Sequence, residues 1–177
     1  SASKEVASLF LVIFSVGVAI GSVAVNHLLK GKVSARFAPF SVIVMAGFVV
    51  AFWFVARIWP VPTEGPLLDV PQFLAVPMAY PLLGALLGIA IAGGMFVVPL
   101  YAFLTTRVAP EQASRTIAAN NIVNSGAMVG GALLAMALTA VGVEITDQVL
   151  MSAGMCLVSC WLARRLVKAE RAAETSA

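Results

Sequence analysis

Charge is what this 177-residue sequence has least of. Asp, Glu, Lys and Arg together make up 11% of it, against 61% for apolar residues. A soluble domain carries about 25% charged and about 45–50% apolar residues, so too little polar surface is available here to face water. Histidine occurs once and cysteine twice. Cys156 and Cys160 are four apart in one apolar run, one turn apart on one helix face, which suits packing better than a bridge. Neither has a His or acidic neighbour, so metal and redox chemistry have no ligand set. The sequence shows no Ser-His-Asp set, no paired carboxylates and no His/Cys cluster, which argues against an enzyme, a catalytic residue, a metal or a cofactor. No Lys/Arg run is interleaved with aromatics, so nucleic acid has no footprint either.

What the sequence has instead is long apolar runs. Five stand out, at 6–29, 37–56, 82–104, 117–141 and 149–167. Each is close to the 20 or so residues that a helix, rising 1.5 Å per residue, needs to cross about 30 Å of hydrocarbon. None contains Lys, Arg, Asp or Glu before Arg164 and Arg165, at the end of the last. No carboxylate proton relay is therefore offered within a span. Backbone groups in lipid must be satisfied within their own segment, so the runs are expected to be helices. The fold class is an all-α membrane bundle of five transmembrane helices, with the lipid bilayer as its first partner.

The charges lie in the connections. Lys30, Lys32 and Arg36 separate runs one and two, Arg107 and Arg115 separate three and four, and Arg164, Arg165, Lys168 and Arg171 close the last. Nine of the eleven basic residues thus fall on one side. By the positive-inside rule that side is cytoplasmic, with the N-terminus outside and the C-terminus inside. Residues 168–177 form a cytoplasmic tail. The chain has no initiator Met and no signal-peptide pattern in its first five residues. With an odd helix count starting outside, it is expected to be a piece of a longer polypeptide.

The outer connection, 57–81, holds six of the nine prolines. That density argues against regular helix and for extended segments and turns. Trp59, Phe73 and Leu74 suggest that parts of it rest at the membrane surface. It reads as a linker with interfacial anchors or as a lid.

The most polar stretch inside a run is Arg115-Thr116-Ile117-Ala118-Ala119-Asn120-Asn121-Ile122-Val123-Asn124-Ser125. Unpaired amides in hydrocarbon are costly. At about 100° per residue, Asn120, Asn121, Asn124 and Ser125 span an arc of about 140°, with Thr139 on the same face and Gly126 and Gly130 roughly opposite. Either this face lines a polar cleft that meets a substrate headgroup, or it hydrogen-bonds to a neighbouring helix. Gly17 with Gly21, and Gly84, Gly88 and Ala92, have the four-residue spacing of helix-packing seams. Gly93-Gly94 followed by Pro99 marks a bend or gate in the third helix, because Pro99 lacks the amide hydrogen that would bond one turn back. His27 beside Asn26 reads as an ordinary histidine at the membrane interface.

The run Gly93-Gly94-Met95-Phe96-Val97-Val98-Pro99-Leu100-Tyr101-Ala102-Phe103-Leu104, followed by Arg115-Thr116-Ile117-Ala118-Ala119-Asn120-Asn121, resembles the lysophospholipid-transporter branch of the major facilitator superfamily. It is similar in particular to members fused to a phospholipid acyltransferase. The resemblance covers essentially the whole chain and is strongest at 84–131. Members of the superfamily have twelve helices in two halves, so five helices starting outside would be helices eight to twelve. The resemblance then implies a missing N-terminal half of the same polypeptide, and an acyltransferase as partner or fused domain. In the superfamily's cytoplasmic signature Gly21 is in place, but Val25 holds the acidic position and Asn26 the basic one, with Lys30 and Lys32 slightly late.

These readings converge on a transporter of the inner (plasma) membrane that moves an amphiphilic substrate, a lysophospholipid by resemblance, through alternating access. The substrate-facing candidates are Asn120, Asn121, Asn124, Ser125 and Tyr101. The bending candidates are Gly93, Gly94 and Pro99, and the cytoplasmic loop charges are Lys30, Lys32, Arg36, Arg107 and Arg115. A facilitator exporting drugs or small metabolites, and a non-transporting membrane anchor or assembly subunit, are the alternatives.

Overall fold

The computed structural model describes residues 3–30, 34–60, 67–106 and 108–175. Among them lie six helices: α1 (Lys4–Leu29), α2 (Ala38–Arg57), α3 (Val70–Ala75), α4 (Ala79–Thr106), α5 (Pro110–Ala140) and α6 (Ile145–Thr175). All but α3 are long and apolar enough to cross a membrane. The described residues include no strand.

The helices begin where the chain can satisfy or dispense with their first amides. Ser3 accepts a hydrogen bond from the Val6 amide at 3.4 Å and so caps α1. Prolines stand in the first turns of α2, α3 and α5, where the missing N–H costs nothing. This is also how α3 forms within the proline-rich connection, against expectation. Pro71 occupies its first turn, and Asp69 and Gln72 exchange the two hydrogen bonds of a capping box, at 2.9 and 3.2 Å. Proline density rules out long helices, but a single turn can start on a proline. The last helix also continues past its apolar run to Thr175, because Lys, Glu, Arg and Ala are all strong helix formers.

Four of the helices pack as a row in the order α1–α4–α2–α6. The α1–α4 seam is built from small residues. A β-carbon placed on Gly17 would stand 2.5 Å from the Ala90 methyl, and one on Gly94 would stand 2.5 Å from the Val18 carbonyl oxygen. Gly88 receives the ring of Phe48 from α2, whereas Gly84 faces open space. Without a hydrophobic drive between helices in lipid, such close approach is what holds them together. Between α2 and α6 the seam is lined by Val42, Cys156 and Cys160, with Met45, Ala46 and Phe96 around them.

Where α3 meets the starts of α1 and α4, Phe73 of α3 is buried with Val6, Ala79 and Leu82. Its ring stacks on Trp59 at 5.4 Å and meets Phe10 edge-on at 5.6 Å. The Ser3 amide adds a hydrogen bond to the Leu68 carbonyl at 3.1 Å. These aromatics fasten the connection to the bundle.

One helix stands outside this row. The apolar window of α5 has none of its residues buried, and α5 makes only slight contact with α4 and α6.

Candidate functional site

Helix α5 starts at Pro110, well before the apolar run at 117, because Ala109 is extended and proline opens the first turn. Arg115 and Thr116 consequently belong to the helix, and Thr116 donates its hydroxyl to the Gln112 carbonyl at 3.0 Å. Further along, Asn120 is half-buried, and Asn121, Asn124 and Ser125 are exposed. The amide of Asn124 reaches the Met128 sulfur at 4.0 Å, on its own helix. Among the described residues these side chains make no hydrogen bond to another helix. Gly126, Gly130 and Gly131 likewise have nothing within 4 Å of where a β-carbon would stand. Among the described residues neither the asparagines nor the glycines of α5 form a packing seam.

At the far end Thr139 accepts a hydrogen bond from the Gln148 amide at 2.9 Å, and the same amide reaches the Val143 carbonyl at 3.1 Å. The polar stripe of α5 thus ends in the turn that leads to α6.

A cavity of about 440 Å³ lies against the start of α5, lined by Gln112, Arg115, Thr116 and Ala119. At about 100° per residue, this face is turned roughly half a revolution from the Asn face. The two polar features of α5 therefore look in opposite directions. Arg115 is exposed and makes no ion pair among the described residues, although Glu111 stands one turn before it. The lining spacing of i, i+3, i+4 and i+7 was there to be read in the sequence. Only Arg115 carries a charge that draws attention to it. A second cavity, about 170 Å³ and almost wholly apolar, lies between α4 and α6, lined by Phe96, Leu100, Ser159, Leu162, Ala163 and Leu166.

The remaining candidates are dispersed. Tyr101 lies on α4, 42% exposed, and no described hydrogen bond joins its side chain to the asparagines. Helix α4 runs continuously through Gly93, Gly94 and Pro99. Gly94 is a packing position against α1, and Gly93 faces the Met45 sulfur at 3.9 Å. Lys30 ends α1 in the left-handed conformation, φ 51°. Arg36 lies over the Phe37 ring, 4.8 Å from its centre. Lys32 and Arg107 lie outside the described residues. His27, in the last turn of α1, is exposed. Among the described residues no three His, Cys, Asp or Glu side chains gather where a metal ion could be held.

Compared with known protein families, curated proteins and solved structures, the chain matches none. Its own architecture defines a class: an all-helical protein with five helices able to cross a membrane, a packed row of four, and one polar-striped helix beside it.

Proposed function

We propose that this chain is the C-terminal half of a facilitator-type transporter, corresponding to helices eight to twelve, and that α5 lines the path of an amphiphilic substrate. One observation carries the reading. The helix with the most amides inside its span is also the one with no buried residue in its apolar window. Amides facing hydrocarbon are costly, so a helix built this way belongs beside a water-filled cleft. The row α1–α4–α2–α6 supplies a packed body for α5 to stand against. Transporters of this kind bind substrate near the midplane between two repeats and rock one against the other.

The distribution of basic residues orients the chain with its C-terminus in the cytoplasm of a cell bounded by the inner (plasma) membrane. The resemblance around Gly93–Leu104 and Arg115–Asn121 favours a lysophospholipid, taken inward for reacylation by an acyltransferase in the same or a partner polypeptide. Spans without acidic residues accord with a cargo whose acyl chain needs an apolar route. In this reading the chain itself is a carrier and no enzyme.

The test is translocation of labelled lysophosphatidylethanolamine by the full-length polypeptide in liposomes, beside a folded Asn120→Ala/Asn124→Ala variant. Translocation that the variant loses supports a path along α5. Translocation that the variant keeps removes the asparagines from the path and leaves the carrier. A folded wild type that moves no lipid sinks the lipid reading in favour of an exporter of drugs or small metabolites. If the paired substitution instead lowers the abundance of a bound partner, the chain is an assembly subunit.

A further inference from the structure

Helix α6 meets α2 along one stripe: Ala153, Cys156, Cys160, Ala163 and Glu170 are its buried residues. Their spacing of 3, 4, 3 and 7 keeps them on one face of a helix. Four are small and close to apolar. The fifth, Glu170, is a carboxyl group only 7% exposed at the far end of the same stripe. Its Oε2 accepts the amide hydrogen of Ala35 at 3.2 Å, across 135 residues of chain. Ala35 is itself fully buried, and its carbonyl accepts from the Ala38 amide at 2.9 Å as α2 begins.

Helix α2 needs something at this end. Its N-cap residue is Phe37, which has no capping side chain, and no acidic residue stands in its first turn. Glu170 instead holds the turn that leads into α2, through the Ala35 amide two residues before the N-cap. Yet the carboxyl group is only half satisfied. Its Oε1 is buried and has no hydrogen-bond partner among the described residues.

That imbalance sets the two ends of the seam apart. At the outer end, one Asp147 oxygen takes Arg57 Nη1 at 2.7 Å and Trp53 Nε1 at 3.2 Å, with the Arg57 and Asp147 side chains both exposed. At the inner end, parting the helices would break one hydrogen bond and hydrate two oxygens, one of them now unsatisfied. A buried polar atom without a partner carries a desolvation cost, so the carboxyl group holds α2 through the Ala35 bond alone. Among the described residues nothing else polar links the helices nearby except the Cys160 thiol, which lies 3.8 Å from the Pro39 carbonyl.

We propose that Glu170 is a releasable clamp, and that the α2–α6 seam opens from this end, uncovering Cys160, when the clamp lets go. The inference concerns motion within the chain and stands whatever the substrate is. Cys160 is the native reporter, since it is buried in the seam and points at α2.

The experiment measures the rate at which N-ethylmaleimide labels Cys160 in the full-length polypeptide in liposomes, in a Cys156→Ala background. Glu170→Ala is expected to speed labelling about fivefold or more, the scale of one lost hydrogen bond. Glu170→Gln, which keeps an oxygen acceptor for Ala35, should stay close to wild type. Ala35→Pro deletes the donor from the α2 side and should speed labelling as Glu170→Ala does. Combining the two should add nothing, because both remove the same contact. Arg57→Ala, at the other end, should leave the Cys160 rate unchanged. Wild-type labelling in a folded Glu170→Ala variant would overturn the clamp and assign the seam to packing alone. Should that variant fail to fold, Ala35→Pro decides on the same two outcomes.

Discussion

Gly21 of α1 lies so close to Ile91 of α4 that a methyl group at position 21 would overlap the Ile91 carbonyl. The two backbones touch where membrane helices have the fewest other means of holding together. Gly21→Val should therefore destabilise the protein by about 1–3 kcal/mol or more, the cost of overpacking. Gly84→Ala and Gly126→Ala, where no atom stands within 4 Å, should be neutral or stabilising by up to about 1 kcal/mol, as alanine is the better helix former. Unfolding midpoints of the three variants in the same detergent check this, and equal midpoints would disprove the seam.

Phe73 is buried between Trp59 and Phe10. Removing its ring should cost about 3–5 kcal/mol locally, as for other core phenylalanines. The loss should be confined to the 57–81 connection. Hydrogen exchange of Phe73→Ala is expected to show faster exchange in α3 with α2 and α6 unchanged.

The Arg57–Asp147 pair is exposed on both sides, 52% and 42%. Exposed pairs contribute about 0–1 kcal/mol, so Asp147→Asn should shift the unfolding midpoint by no more than that corresponds to. A larger loss would show that the Trp53 contact to the same oxygen matters more than the charge.

Asn120 and Asn124 make no hydrogen bond to another helix among the described residues, so replacing both with leucine should leave stability within about 0.5 kcal/mol of wild type. Loss of transport at unchanged stability is the outcome expected of a path-lining face. A marked loss of stability would return the amides to a packing role.

Much of this architecture was legible because lipid simplifies the problem. Uninterrupted apolar runs of about 20 residues have one structural solution, and all five became helices, with ends displaced by a few residues to a full turn or more. The displacements have local causes: Pro110 can open a helix ahead of the apolar run, and the tail is rich in helix formers. The 57–81 connection was misread at Val70–Ala75, where a single capping box outweighed a count of prolines. Small residues at four-residue spacing pointed to seams, yet Gly17 and Gly21 form one while Gly84, Gly126 and Gly130 do not. Spacing places residues on a face without saying whether another helix arrives there.

The sequence by itself determined that the chain is helical, that five helices are long and apolar enough to cross a membrane, and that polar groups gather on one of them. Those properties depend on hydropathy and period, which are local. Only the tertiary structure decided the order α1–α4–α2–α6, the isolation of α5, and the meeting of Glu170 with Ala35 across 135 residues. Nothing in the residues around Glu170 distinguishes it from a solvated charge in a cytoplasmic tail. It is buried because the cysteine and alanine stripe of α6 brings that helix close to α2, and such a contact exists only once both helices are in place.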